Sequence, residues 1–358
     1  MSSSPPVSAP PALVEIAGRV NDRIGQVLGD DAARWGCLDP SLDAPLSSLR
    51  SLVLSGGKRL RPAFCYWAFV GAGGDPADDR VVAAGAALEL LHTFALIHDD
   101  VMDDSPLRHG VETLHVDYAR RHRDGGWRGE ADRFGTAVAI LVGDLAFVYA
   151  DRLLTGAPRM ALDVWNDLRL EVNVGQYLDL AGTARSSANP ELARRICQYK
   201  SGKYTVERPL HLGAALVGVE PTSQSGRALT AYGVPLGEAF QLRDDILGVF
   251  GDPAVTGKPV GEDLRDGKPT LLYALARAAA TGAGAELFEH RFGRPDLDES
   301  EVCRLQEVIE QTGARRQVLG VIDSLVDQAL AAADALPLDE RAVSALVQLA
   351  HFIAGRDH

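Results

Sequence analysis

The run His98-Asp99-Asp100-Val101-Met102-Asp103-Asp104 places four carboxylates directly after the apolar stretch Leu88–Ile97. Positions four apart share one face of a helix, so Asp99 stacks under Asp103 and Asp100 under Asp104. These charges repel one another, and the negative end of the helix dipole adds to the cost. Such crowding points to a cation. All-oxygen ligands at this spacing suit Mg2+, above all when a substrate phosphate completes the coordination. The plain alternative is a solvated acidic helix end, which fits poorly with the apolar residues before it. If repulsion dominates, removing Asp99 or Asp103 should leave the fold as stable or more so. A second pair, Asp244-Asp245 within Phe240-Gln241-Leu242-Arg243-Asp244-Asp245-Ile246-Leu247-Gly248, also follows an apolar helix, with Gln241 on the face of Asp244. Two such faces could converge on one multi-metal site of diphosphate size.

Basic residues lie elsewhere in the chain. Gly56-Gly57-Lys58-Arg59-Leu60-Arg61-Pro62 puts Lys58 and Arg61 beside flexible glycines, a setting that suits an anionic group. Lys200, Lys203 and Tyr204 share one face of a predicted helix. Thr256-Gly257-Lys258-Pro259 and Asp266-Gly267-Lys268-Pro269 place two lysines on a Gly/Pro-rich loop after the second acidic helix. For these lysines a solvated charge is the competing reading.

The elements that must position these groups are helical. Apolar residues recur at helical spacing, and alternating β-branched runs are nearly absent. The pattern predicts helices at about 12–29, 45–55, 60–71, 78–104, 112–122, 133–155, 160–181, 190–216, 223–250, 268–281, 300–313, 315–335 and 338–354. Breaks fall at Gly/Pro/Asp clusters, among them 71–76, 124–129, 251–261 and 282–284. The helices at 78–104 and 223–250 are apolar on most sides and belong in the centre of a bundle. The expected fold is all-α: one large helical domain over 12–358, after a disordered Ser/Pro-rich tail at 1–11.

Composition narrows the function. The 358 residues are 46% hydrophobic, which excludes a mostly disordered or collagen-like chain. Thirty-six basic against 49 acidic residues leave a net charge of −13, which argues against a general nucleic-acid binder. A local basic pocket can still take an anion. Cys37, Cys65, Cys197 and Cys303 are far apart, so neither a disulfide framework nor a zinc site is expected. No signal peptide is visible, and the default location is the cytoplasm. Glu89 and His92 interrupt one apolar stretch and Asp144 another, so neither reads as a membrane span.

Taken in order, GGKRLRP (56–62), DDVMD (99–103), SPLRHG (105–110), GQYLDL (175–180), KSGKYT (200–205), FQLRDD (240–245) and GKPVGEDLRDGKPT (257–270) resemble the trans-isoprenyl diphosphate synthases, or polyprenyl synthetases. The resemblance spans roughly residues 50–280. It implies a helical bundle of the isoprenoid synthase type around a central apolar cavity, a homodimer, and Mg2+-dependent elongation of an allylic diphosphate by isopentenyl diphosphate. Asp99 and Asp103 would bind two Mg2+ ions, supported by Asp100. Asp244 would bind a third, with Asp245 in its outer shell. Arg108, Lys200, Lys258 and Lys268 would hold the allylic diphosphate, with Gln241 nearby. Lys58, Arg61 and His92 would hold isopentenyl diphosphate, while Gln176 and Asp179 line the site. No role follows for Lys203.

Two positions depart from the family. The second acidic motif often ends in a third Asp, where this chain has Gly248; Asp252 does not replace it. The family also usually carries two arginines before Gly110, where this chain has Arg108 and His109. A histidine there predicts isopentenyl diphosphate binding that weakens as pH rises. Phe94, five residues before Asp99, with the small Ala95 beside it, is similar to geranylgeranyl diphosphate synthases, and Phe94 is expected to set product length. A farnesyl diphosphate synthase and a low-activity partner subunit remain alternatives. A terpene cyclase would lack Lys58 and Arg61, and a metal phosphohydrolase would leave the lysine loop unexplained.

Overall fold

The chain folds as a succession of helices, and the computed structural model describes residues 10–108, 110–251 and 261–355. Helices α1 (Pro11–Gly36), α2 (Asp43–Leu54), α3 (Leu60–Gly71) and α4 (Asp79–Met102) lead to a two-stranded antiparallel hairpin, β1 (Leu107–Arg108) and β2 (Val111–Glu112). Next come α5 (Leu114–Asp124), α6 (Ala131–Leu153), α7 (Arg159–Ala184) and α8 (Pro190–Ile196). A π-helical segment, Cys197–Glu207, joins α8 to α9 (Arg208–Ala215), and α10 runs from Gln224 to Phe250. The rest comprises α11 (Glu262–Asp266), α12 (Leu271–Ala279), α13 (Gly282–Arg291), α14 (Glu299–Gln311), α15 (Ala314–Ala333) and α16 (Glu340–Ala354).

The apolar character of 79–102 makes α4 a core helix, buried on most sides from Val81 to Leu91. Asp78 caps it by accepting the Arg80 N–H at 2.7 Å. It packs against α3 and α6. Helix α10 is shared by two apolar cores. Leu229, Tyr232, Leu236 and Phe240 belong to the larger one with α3, α4 and α9, whereas Leu242, Ile246 and Val249 join the helices that follow residue 261. Its acidic end therefore lies where the two meet.

Backbone-to-backbone contact locks the functional elements together. A Cβ at Gly175 of α7 would stand 2.2 Å from the Lys200 nitrogen, and one at Gly237 of α10 would stand 2.3 Å from the Gly202 oxygen. Only glycine lets α7 and α10 press this closely onto the π-helical segment.

Three expectations need correction. The first acidic helix stops at Met102 rather than 104. The span 190–216 is not one regular helix but α8, the π segment and α9. The glycines at 282–284 open α13 instead of breaking the chain; that helix buries only Leu287 and Phe288, too few to leave an apolar pattern. Helices α4 and α6 are both long and apolar enough to cross a membrane by length and composition alone, a test that core helices also pass. For α4 the protein interior accounts for this: Glu89 is buried and paired with Arg59 at 2.5 Å.

Candidate active site

The last turn of α4, the π segment, α7 and the loop before α12 meet in a cluster of paired charges. Asp99 accepts from Lys200 Nζ at 3.0 Å and from Gln176 Nε2 at 3.0 Å, with Arg108 Nη2 at 3.5 Å. Asp100 is held by Arg108 through Nε at 2.9 and 3.0 Å and Nη2 at 2.6 Å. Asp103 forms the C-cap of α4 and pairs with Lys268. Asp179, buried on α7, accepts from Lys200 at 2.5 Å and lies 3.9 Å from Lys268. The four carboxylates of the sequence reading are therefore not a repelling stack. Three are neutralised by Arg108, Lys200 and Lys268, and Asp104 leaves the helix with φ +53 and a fully solvated side chain.

These pairs set the protonation states. Burial alone would raise the Asp99 carboxyl, but Lys200, Lys268 and Arg108 overcome it and hold it well below the usual carboxylate range. Burial would likewise lower Lys200 and Lys268, yet Asp99, Asp103 and Asp179 keep both ammonium groups above their ordinary values. On α10 the balance reverses. Burial, with Asp263 next, pushes the Asp245 carboxyl well up even though Gln241 donates to it at 2.8 Å.

Among the described residues no three acidic, cysteine or histidine groups already enclose a metal point. The donor set is instead open: carboxylates on one side and lysines that can transfer to phosphate on the other. That arrangement suits Mg2+, which keeps water and shares ligands with substrate phosphate.

A second basic region lies around the start of α3. Arg61 donates to Thr205 Oγ1 at 2.9 Å and lies over the Tyr204 ring at 4.2 Å. Its Nε, His92 Nδ1 and the Tyr204 hydroxyl are buried and find no hydrogen-bond partner among the described residues. Burial, then Arg61, Arg108 and Arg59, holds His92 neutral, well below the usual imidazole range. Lys58 Nζ sits 5.2 Å from the Phe352 ring. Between them Arg59 turns inward: its left-handed backbone (φ +51) aims the guanidinium at Glu89 at 2.5 Å and the Val53 carbonyl at 2.7 Å. Arg59 thus fastens this basic segment to α4, a role its sequence setting does not reveal.

The structure does not bring Lys203 to the acidic cluster. Lys203 pairs with Glu171 at 2.7 Å and Glu207 at 3.5 Å. In the π segment each residue turns by less than the α-helical angle of about 100°. Lys200 and Lys203 therefore face different neighbours. Arg243 of the second acidic motif braces α16 through the Ala354 carbonyl at 3.0 Å. Phe94 packs on Phe147 of α6, with ring centres 4.9 Å apart, and on His98 at 4.6 Å. Phe147 was not foreseen, because nothing in its local sequence marks it. Lys258 and His109 lie outside the described residues, as does Asp252.

Burial and neighbouring charges make Asp266 a pH-sensitive element of this loop. Burial first, opposed by Lys268 and reinforced by Asp263, pushes its carboxyl up to about 7. In the unfolded chain it ionises at the usual ~3.9. Below that value the carboxyl is protonated in both states and costs nothing. Between about 4 and 7 the unfolded chain loses its proton first, so stability falls with pH and then levels off. The thermal midpoint of the metal-free protein should decline over this window, and Asp266→Asn should flatten the decline. An equal slope in both proteins would refute the assignment.

One acidic helix end paired with lysines, a second carboxylate pair on α10 within electrostatic reach of Asp179, and a second basic region inside an all-α bundle suit an enzyme that handles diphosphates. Residues 44–310 match the polyprenyl synthetase family, and the chain belongs to it. A short chain isoprenyl diphosphate synthase of Methanothermobacter thermautotrophicus is 32% identical over 92% of this chain and 96% of its own. A geranylfarnesyl diphosphate synthase of Aeropyrum pernix is 33% identical over 74% and 78%. Among solved structures, a geranylgeranyl pyrophosphate synthase from Corynebacterium glutamicum, complexed with isoprenyl diphosphate and magnesium, superposes with a TM-score of 0.91. It is 36% identical, covering 96% of this chain and 99% of that one. The protein is a trans-prenyl diphosphate synthase, and hence a transferase.

Proposed function

We propose that the protein condenses isopentenyl diphosphate with dimethylallyl, geranyl and farnesyl diphosphates to make geranylgeranyl diphosphate, with Mg2+ at Asp99, Asp103 and Asp244. The carrying observation is the pairing of Lys200 and Lys268 with Asp99, Asp103 and Asp179. The groups that would hold a leaving diphosphate already rest on the groups that would hold its metal ions. When bound, Mg2+ supplies positive charge to the departing diphosphate. Lys200, Lys268 and Arg108 shift from carboxylate to phosphate and fix its orientation. The allylic carbon–oxygen bond then breaks, its electron pair leaving with the diphosphate. Half-buried Phe94, Ala95 and Leu96 present no nucleophile to the cation. Arg61, Lys58 and neutral His92 hold the second diphosphate so that its double bond attacks that carbon. The proton released from the adduct passes to the departed diphosphate.

The test is incubation of the pure protein with isopentenyl diphosphate and each primer, followed by extraction and mass analysis. A twenty-carbon product that disappears with EDTA is expected. A product stopping at fifteen carbons would favour the farnesyl reading, and hydrolysis without elongation would overturn the proposal.

The same reading makes the enzyme a cytoplasmic homodimer. Ile140, Leu141 and Val148 on α6 and Leu170, Val174 and Tyr177 on α7 are between 41% and 68% exposed. Arg169 ties the two helices by pairing with Asp151 at 2.7 Å. An apolar face of this extent on adjoining helices fits a second copy of the chain. Light scattering should give twice the 38.2 kDa chain mass, and Leu141→Glu with Leu170→Glu should give the single mass. Monomeric wild type would refute the dimer.

A further inference from the structure

Gly248 stands three residues after Asp245 and four after Asp244, on the face of α10 that carries both carboxylates. The space its side chain would fill is occupied. A Cβ at Gly248 would lie 2.1 Å from Asp263 Oδ2, 2.6 Å from its Cγ and 3.0 Å from Oδ1. Asp263 reaches this place from the first turn of α11, and its own carbonyl accepts the Lys268 N–H at 3.1 Å, which fixes the turn leading to that lysine. A helical side chain leans toward the N-terminus of its helix, so this volume opens toward Asp244.

We propose that Asp263 supplies the carboxylate that α10 lacks at position 248, and that it serves as an oxygen ligand of the metal ion held by Asp244. The two positions are complementary: glycine at 248 is what lets a carboxylate from another element enter. This rests on the metal–diphosphate reading above, and it concerns one ion of that set.

The test follows the thermal midpoint of the full chain during Mg2+ titration at fixed inorganic pyrophosphate. Asp263→Ala should move the Mg2+ concentration at half-effect upward by about tenfold or more. Asp263→Asn, which keeps the shape, should do the same and guards against misfolding of the alanine variant. Gly248→Asp alone should lower the midpoint without Mg2+, because two side chains compete for one space. Gly248→Asp combined with Asp263→Ala should restore both the midpoint and the Mg2+ response to near wild type. An unchanged response in both Asp263 variants, or a double variant no better than Asp263→Ala, would overturn the proposal. Asp244→Ala separates the two levels. If it raises the Mg2+ concentration at half-effect while Asp263→Asn does not, only the Asp263 assignment fails; if Asp244→Ala also responds normally, the reading of Asp244 as a metal ligand fails.

Discussion

Asp99→Ala should turn over roughly a thousandfold more slowly than wild type while remaining folded. A metal ion on a leaving group contributes several kcal/mol of transition-state stabilisation, and about 4 kcal/mol corresponds to a factor of 10^3. Asp99 is also the point where Lys200, Gln176 and Arg108 meet, so its loss leaves the diphosphate grip without its metal-side partner. Asp103→Ala and Asp244→Ala should share the loss. Stability is expected to fall slightly, not rise, because the carboxylate is paired; Lys200 retains Asp179 at 2.5 Å and the fold persists. Turnover at saturating Mg2+, measured beside the thermal midpoint, distinguishes the outcomes. Near-normal turnover in folded Asp99→Ala would return the acidic turn to a structural role.

Phe94→Ala should lengthen the product, and Ala95→Phe should shorten it. Phe94 lies five residues, a little over one turn, deeper along α4 than Asp99, so a chain anchored at the acidic end grows toward it. Its ring is backed by Phe147 at 4.9 Å. Removing Phe94 therefore opens about one helical turn, ~5 Å, close to one isoprene unit, before the second ring blocks further growth. Phe94→Ala with Phe147→Ala should lengthen products beyond the single variant. Mass analysis reads this directly, and identical product distributions in all three variants would place the floor of the site elsewhere.

The acidic helices were legible in the sequence because carboxylates four apart after an apolar run have few inexpensive explanations. Their neutralisation was not, since Lys200 and Lys268 arrive from 101 and 165 residues away. Asp104 was misread because a helix end leaves little mark on a run of acids. Arg59 looked like its neighbours Lys58 and Arg61, and only a left-handed backbone at φ +51 turns it inward. The all-α class followed from apolar periodicity, which averages over many residues. The hairpin at 107–112 escaped because two-residue strands are too short to show alternation.

The π-helical segment has a consequence for how this chain can vary in length. Its wider bonding pattern behaves as one residue inserted into an otherwise regular helix. Deleting a single residue between Cys197 and Glu207 would restore regular winding with the flanking helices still in register, but it would turn residues inside the segment by about 100° relative to one flank. Gly202 would then leave Gly237, or Lys200 would leave Asp99 and Asp179. Insertions and deletions can accumulate in exposed connections such as 125–130, but the number of residues here acts as a reading frame for the contacts that the segment itself makes.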